Sequence, residues 1–452
     1  MTKSSASILL YSIFVGFIAE DVAAIGVAPE DVSRVSLYGV PLRDLALFVA
    51  LCCLVIRHRQ MLRIVDGRWL LLIVSCFLVG LVRGVLSLGF SRSLNSDIRV
   101  FLWLFGGIGF ALVMERTRHA RMHLTVLLLL STVLMVCASI FSPSYYEYKL
   151  TSEAVRVTHA SMYVFGGLLA VPLILVMNTT GLRLRSKLVP AGCLAAFFGF
   201  GALLSGTRSN LIVTVVMFVI LLASLRFRLR DGTVMIGKTT LVAKMLVFSA
   251  GLVMAFVLPL IVDAGRSARF ASILDVNLLL ASDRVLELIA FLTSSDSAQL
   301  LIGRGVGGAI YSPILEFKGE LTGSMHIGIA NVWMKFGLLP FAIAVGFFLL
   351  VIPIRYSRSF WKARDCGYRT NNSDTANVVV LPSLFPWIVA MLVSGGYSEG
   401  SLWCAGFVFY VYYLVKRFGL DAFFSPSYPT RAVPARGCPH ITLEAPMESL
   451  PT

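Results

Sequence analysis

Apolar runs of roughly 17–22 residues recur from one end of this chain to the other, and they leave few folds open to it. A helix of about 20 residues rises about 30 Å, the thickness of a bilayer's hydrocarbon core. Backbone in such a core must satisfy its own hydrogen bonds, so only helices or a closed barrel can cross it. No run shows the sustained period-two alternation of an outer-membrane barrel strand, so an all-α polytopic membrane protein is expected. Composition agrees, because 57% of the 452 residues are hydrophobic and 14% charged. Soluble proteins are nearer a quarter charged.

The pattern places spans at 6–22, 41–56, 69–86, 98–114, 124–141, 161–178, 188–204, 209–225, 241–262, 327–354, 378–394 and 401–415. Glu20 and Asp21 shorten the first, and no convincing small-residue cleavage site follows it, so it is kept as a helix rather than a signal peptide. Residues 1–420 are expected to form one membrane domain. The tail 421–452, rich in Pro and Ser, has the composition of a disordered segment. The two halves show no obvious repeat, which weakens an inverted-repeat transporter.

The net charge of +15 does not point to nucleic acid, because the basic residues lie in short clusters between apolar runs. One cluster is Arg57, Arg59, Arg63 and Arg68; the next is Arg116, Arg118 and Arg121. Arg183, Arg185 and Lys187 follow, then Arg226, Arg228, Arg230 and Lys238. Arg355, Arg358, Lys362, Arg364 and Arg369 form another, and Lys416 and Arg417 follow the last span. With about twelve spans all of these fall on one side, which the positive-inside rule makes cytoplasmic. Both termini are then cytoplasmic, and the mixed or acidic loops 23–40, 87–97, 142–160, 205–208, 263–326 and 395–400 are external. Cys52, Cys53, Cys76, Cys137, Cys193 and Cys404 lie in spans, and Cys366 and Cys438 are cytoplasmic, so no structural disulfide is expected. No Cys/His spacing suggests zinc, and no metal or cofactor is expected.

The external loop 263–326 is by far the longest polar interval, and it carries Arg266, Arg269, Asp283, Arg284, Glu287, Arg304 and, at its end, His326. Ionisable groups gathered where membrane meets water mark a functional site. From Ser282 to Phe291 the apolar spacing predicts a short amphipathic helix lying on the membrane, capped by Ser282 or Asp283, with Arg284 in its first turn. Arg284 then either meets an anionic substrate or simply pairs with Asp283 or Glu287. Arg266 and Arg269 suit head-group contacts. The run Gly303-Arg304-Gly305-Val306-Gly307-Gly308 has no Walker lysine and is not a nucleotide loop; its glycines let backbone turn close to a neighbour.

Two further residues have double readings. Arg208, in Ser205-Gly206-Thr207-Arg208-Ser209-Asn210, caps an external turn, either snorkelling to head groups or binding an anion. His326 is either an interfacial capping residue or a general base, a role that the ordinary imidazole pKa of about 6.5 suits.

In this order, Thr207-Arg208-Ser209, Arg284-Val285-Leu286, Ile302-Gly303-Arg304-Gly305-Val306-Gly307, and His326 followed by Phe336-Gly337-Leu338-Leu339 resemble the bacterial O-antigen ligase/polymerase superfamily. The motifs cover roughly residues 200–345; the remainder matches through its span pattern alone. Ile327 stands where the family often has Asn or Ser, and the Trp often found shortly after the second arginine is absent. The resemblance implies a GT-C type inverting glycosyltransferase of the bacterial inner membrane, with its active site facing the periplasm. Its donor would be an undecaprenyl-diphosphate-linked glycan and its acceptor a glycan or lipid A core. It would need no nucleotide sugar or metal, and the family's partners include chain-length regulators. Arg208 and Arg284 would clamp the leaving diphosphate, Arg266, Arg269 and Arg304 would support them, and His326 would take the acceptor's proton.

Within that family a polymerase, a ligase and a transferase to protein serines share donor chemistry, and the polymerase is favoured. The rival class is a secondary transporter or a lipid-linked sugar flippase. That class predicts ionisable groups at the bilayer midplane, whereas Arg83, the main charge inside the spans, lies near an external end.

Overall fold

The computed structural model describes residues 67–88, 92–115, 208–225, 227–230, 233–236, 283–311, 321–366, 371–393 and 399–419, with short pieces between 36 and 52, at 187–192, and at 313 and 397. The described chain is mostly helical. In order come α1 (Gly67–Leu88), α2 (Arg92–Glu115), α3 (Arg208–Ser224), α4 (Asp283–Ser294) and α5 (Ser297–Ile302). After these follow α6 (Gly328–Phe336), α7 (Leu338–Gly346), a π-helical stretch at Phe347–Val351, and α8 (Ile352–Cys366). Last come α9 (Asn372–Thr375), a π segment at Ala376–Val380, a 3₁₀ turn at Leu381–Leu384, α10 (Phe385–Val393) and α11 (Glu399–Phe418). Pro382 sits at the start of the 3₁₀ turn, where its missing N–H breaks the regular ladder.

Expected spans 69–86, 98–114, 209–225, 378–394 and 401–415 all fall on these helices. Spans 6–22, 124–141, 161–178 and 241–262, and the tail from 421, lie outside the described residues. Among the described residues, two helices are long and apolar enough to cross a membrane, Leu338–Ala363 with 26 residues and Asn372–Leu392 with 21. In the first, Leu339, Ile343, Leu349 and Leu350 face outward, an arrangement that suits lipid better than water.

Among the described residues, three short two-stranded antiparallel ladders accompany the helices. These are β1 (Ser36–Leu37) with β2 (Val40–Pro41), β3 (Phe227–Arg230) with β4 (Thr233–Ile236), and β5 (Ile310–Tyr311) with β6 (Leu321–Thr322). Strand β3 alternates Phe and Leu with Arg, and the sequence Asp-Gly lies between the paired Arg230 and Thr233, a strong hairpin signal. One expectation needs correction, because the stretch 327–354 is not one helix. It breaks at Gly337, whose φ of 89° belongs to the left-handed region that glycine tolerates. Added bulk at Gly337 would strike Leu301 and Ile302, so the break is held by α5. The long apolar helix therefore begins at Leu338, and α6 belongs with the preceding loop.

The main core lies where α2 packs along α11. A side chain at Gly107 would collide with the Trp403 carbonyl, and one at Gly406 with the Leu104 carbonyl. Small residues thus let two helices touch backbone to backbone, as association inside lipid favours. Aromatic rings fill the space beside them, with Phe110 5.2 Å from Trp403 and Trp403 stacked on Phe407 at 5.9 Å.

Candidate functional site

Helix α4 forms one wall of the site. Leu286, Ile289 and Leu292 line its exposed side, and Glu287 and Phe291 its buried side. This is the amphipathic helix expected from the sequence, with its apolar stripe turned outward. Arg284 is half-buried and stands three residues before Glu287, which puts the two Cβ atoms about 5–6 Å apart on one face.

Across from α4, the chain entering α6 carries His326. Its backbone N–H donates to Glu287 Oε2 at 2.7 Å, and its Nδ1 lies 2.8 Å from Glu287 Oε1. The Glu287 side chain is 2% exposed, whereas the imidazole is 54% exposed. One edge of the ring is thus anchored inside and the other faces outward. Asn331 holds the same turn from α6: its Oδ1 accepts from Met325 N–H at 2.7 Å, and its Nδ2 donates to the Met325 carbonyl at 2.8 Å. Beneath the turn, Phe291, Ile310, Met325, Ala330 and Met334 form a small apolar core. Trp333 closes it, edge-on to Phe291 at 5.7 Å and donating from Nε1 to the Leu300 carbonyl at 2.9 Å.

The glycine-rich run docks this unit onto the helices. Val306 N–H donates to the Gly80 carbonyl at 2.8 Å, and Gly305, at φ 90°, lies against Gly84, where a Cβ would meet the Gly84 N at 2.5 Å. Asp97, at the start of α2, accepts from Gly307 N–H at 2.6 Å and from Lys335 Nζ at 2.5 Å. Lys335 also donates to the Gly323 carbonyl at 2.6 Å and lies 5.8 Å from the Tyr397 ring. Residues from 87–97, 263–326 and 395–400, expected on one side from charge alone, therefore meet around a single buried hub. Burial and the nearby Asp97 charge raise the Tyr397 hydroxyl well above an ordinary tyrosine.

Arg304 serves the loop itself. Its guanidinium donates to the Ala309 carbonyl at 2.6 Å, to the Ser294 carbonyl at 2.9 Å, and to the hydroxyls of Ser294 and Ser295 at 2.8 and 2.9 Å. It also lies 5.7 Å from the Phe291 ring. Burial lowers its pKa, and Asp296 opposes that shift. Those contacts fit a staple between α4 and β5 better than a hand reaching for substrate.

Arg208 opens α3, and its side chain is outside the described residues, as are Arg266 and Arg269. Sequence reasoning named Glu287 only as a pairing alternative for Arg284, and it missed Asn331, Lys335 and Asp97 as parts of the site's frame. The spacing of Glu287 from Arg284 was a usable signal, whereas nothing local links Asp97 to residues more than two hundred positions away. Among the described residues no group of three or more His, Cys, Asp or Glu side chains is placed to hold a metal ion. No protein-family model, curated protein or solved structure matches the chain.

Proposed function

We propose that this protein transfers a glycan from a polyprenyl diphosphate, undecaprenyl diphosphate in a bacterial inner membrane, to an acceptor sugar hydroxyl on the periplasmic side, and that it polymerises O-antigen or exopolysaccharide repeat units. One observation carries the reading. His326 is bonded to Glu287 on α4, the helix that carries Arg284 one turn earlier. A cationic residue on the helix that anchors an outward-facing imidazole suits displacement of a diphosphate by a hydroxyl. The exposed apolar stripe of α4 and the little-buried helix from Leu338 give a lipid-linked donor an apolar approach.

In this reaction the acceptor oxygen attacks the anomeric carbon as its proton passes to His326. The carbon–oxygen bond to the diphosphate breaks, and the electron pair leaves on the diphosphate. Arg284 and Arg208 receive that charge, since a guanidinium fork matches phosphate oxygens bidentately. Backside attack inverts the anomeric centre. The family resemblance in residues 200–345 supports the same chemistry.

Deletion of the gene, followed by analysis of the surface glycan, tests the proposal. Lipid A core carrying a single repeat is the expected result. Polymer accumulating on undecaprenyl diphosphate would instead identify a ligase, and normal glycan with blocked uptake of a small solute would identify a transporter.

A further inference from the structure

We propose, resting on the glycan-transfer reading, that Glu287 is the positioning residue for His326: it holds the imidazole proton on Nδ1 and leaves Nε2 bare to receive the acceptor's proton. An ionised carboxylate has only acceptor positions, so a nitrogen 2.8 Å from Oε1 must be the donor. A neutral imidazole carries one N–H, and the other nitrogen is then the acceptor. Were the tautomer reversed, the exposed edge would present an N–H to the hydroxyl and could not act as a base.

The attachment has two points, and the second gives the first its direction. Glu287 Oε2 takes the His326 backbone N–H at 2.7 Å while Oε1 faces the ring. A carboxylate that only tied down the loop would need the backbone bond alone. Backbone and ring together fix the side chain's rotation as well as its tautomer, and Asn331 fixes the peptide just before it. The carboxylate is also 2% exposed, so water competes little for its oxygens, while the ring it orients is 54% exposed. When the acceptor's proton arrives at Nε2, the imidazole becomes cationic, and the buried carboxylate already stands at Nδ1 to stabilise that charge. The same division of labour between an orienting carboxylate and a working imidazole operates in hydrolytic triads.

The test uses full-length protein in lipid nanodiscs, labelled with ¹⁵N-histidine, with His326→Ala to identify the His326 signal among the six histidines. Wild-type protein is expected to show Nδ1 protonated and Nε2 bare, and Glu287→Gln a mixture of tautomers, since an amide can donate or accept. Transfer is followed with the lipid-linked glycan extracted from membranes of the deletion strain. Glu287→Gln should lower kcat about 10–100-fold, less than the roughly 10²–10⁴-fold expected for loss of the base itself, with KM for that extract within about twofold. The double variant Glu287→Gln/His326→Ala should be no slower than His326→Ala alone.

An Nε2-protonated His326 in the wild type overturns the inference, and so does an unchanged rate in Glu287→Gln. Where Glu287→Gln does not fold, the wild-type spectrum still decides. Wild-type protein that transfers no glycan from the extract overturns the transfer reading itself. The two failures are thereby distinguished.

Discussion

Lys335 and Asp97 stand 238 positions apart in the chain, yet Lys335 Nζ lies 2.5 Å from Asp97 Oδ2 with both side chains almost wholly buried. The pair ties α6, which follows His326, to α2 and, through Gly307 and Gly323, to the loops on either side of β5 and β6. Removing one partner strands the other charge in a dry interior. Lys335→Met or Asp97→Asn should therefore lose about 3–5 kcal/mol of stability. Replacing both with apolar residues should recover much of that loss, and a double-mutant cycle by chemical denaturation in mild detergent checks it.

His326 has the exposure a general base needs and a fixed inner edge. His326→Ala should lower glycan transfer about 10²–10⁴-fold, the usual reach of general acid–base catalysis. The variant should still insert and fold, because Asn331 and the apolar core beneath the turn do not depend on the imidazole. Turnover at the wild-type rate would remove His326 from the reaction.

On the proposed function, Arg284 and Arg208 would hold the donor's diphosphate. Loss of a hydrogen bond to a charged group is worth about 1.5–3 kcal/mol. Arg284→Ala and Arg208→Ala should thus each weaken binding of the lipid-linked donor by about tenfold or more. Unchanged donor affinity in both variants would defeat the clamp.

Arg304 provides the contrast. Its two terminal nitrogens bond Ala309, Ser294 and Ser295, so Arg304→Ala should lower the melting temperature while leaving donor affinity as it was. Weakened donor binding in a variant with native stability would return Arg304 to the substrate.

The legible parts of the fold were those written in local periodicity. α1, α2, α3, α10 and α11 follow from runs of apolar residues, and α4 from its apolar spacing. The glycine-rich run was rightly read as a place of close backbone approach, which Gly305 against Gly84 makes specific. The break at Gly337 was hidden, because apolar residues continue on both sides of it and hydropathy does not register a change of φ. Lys335 was hidden for the same reason, enclosed in what read as one long span. Glu287 was visible as a residue, and its bond to His326 was not, since that bond depends on α4 and the start of α6 being folded against one another.

Gly337 also sets where the uncharged part of the long helix begins. From Leu338 to Ile354 the helix carries no charged residue, and those 17 residues rise about 26 Å, a little less than a typical hydrocarbon core. Arg355, Arg358 and Lys362 follow at once, and side chains of that kind suit a head-group layer. The chain turns sharply just before Leu338, at a glycine pressed on Leu301 and Ile302. A side chain at that corner would strike the end of α5, so the corner sets the angle between the apolar helix and α6, the helix that follows His326.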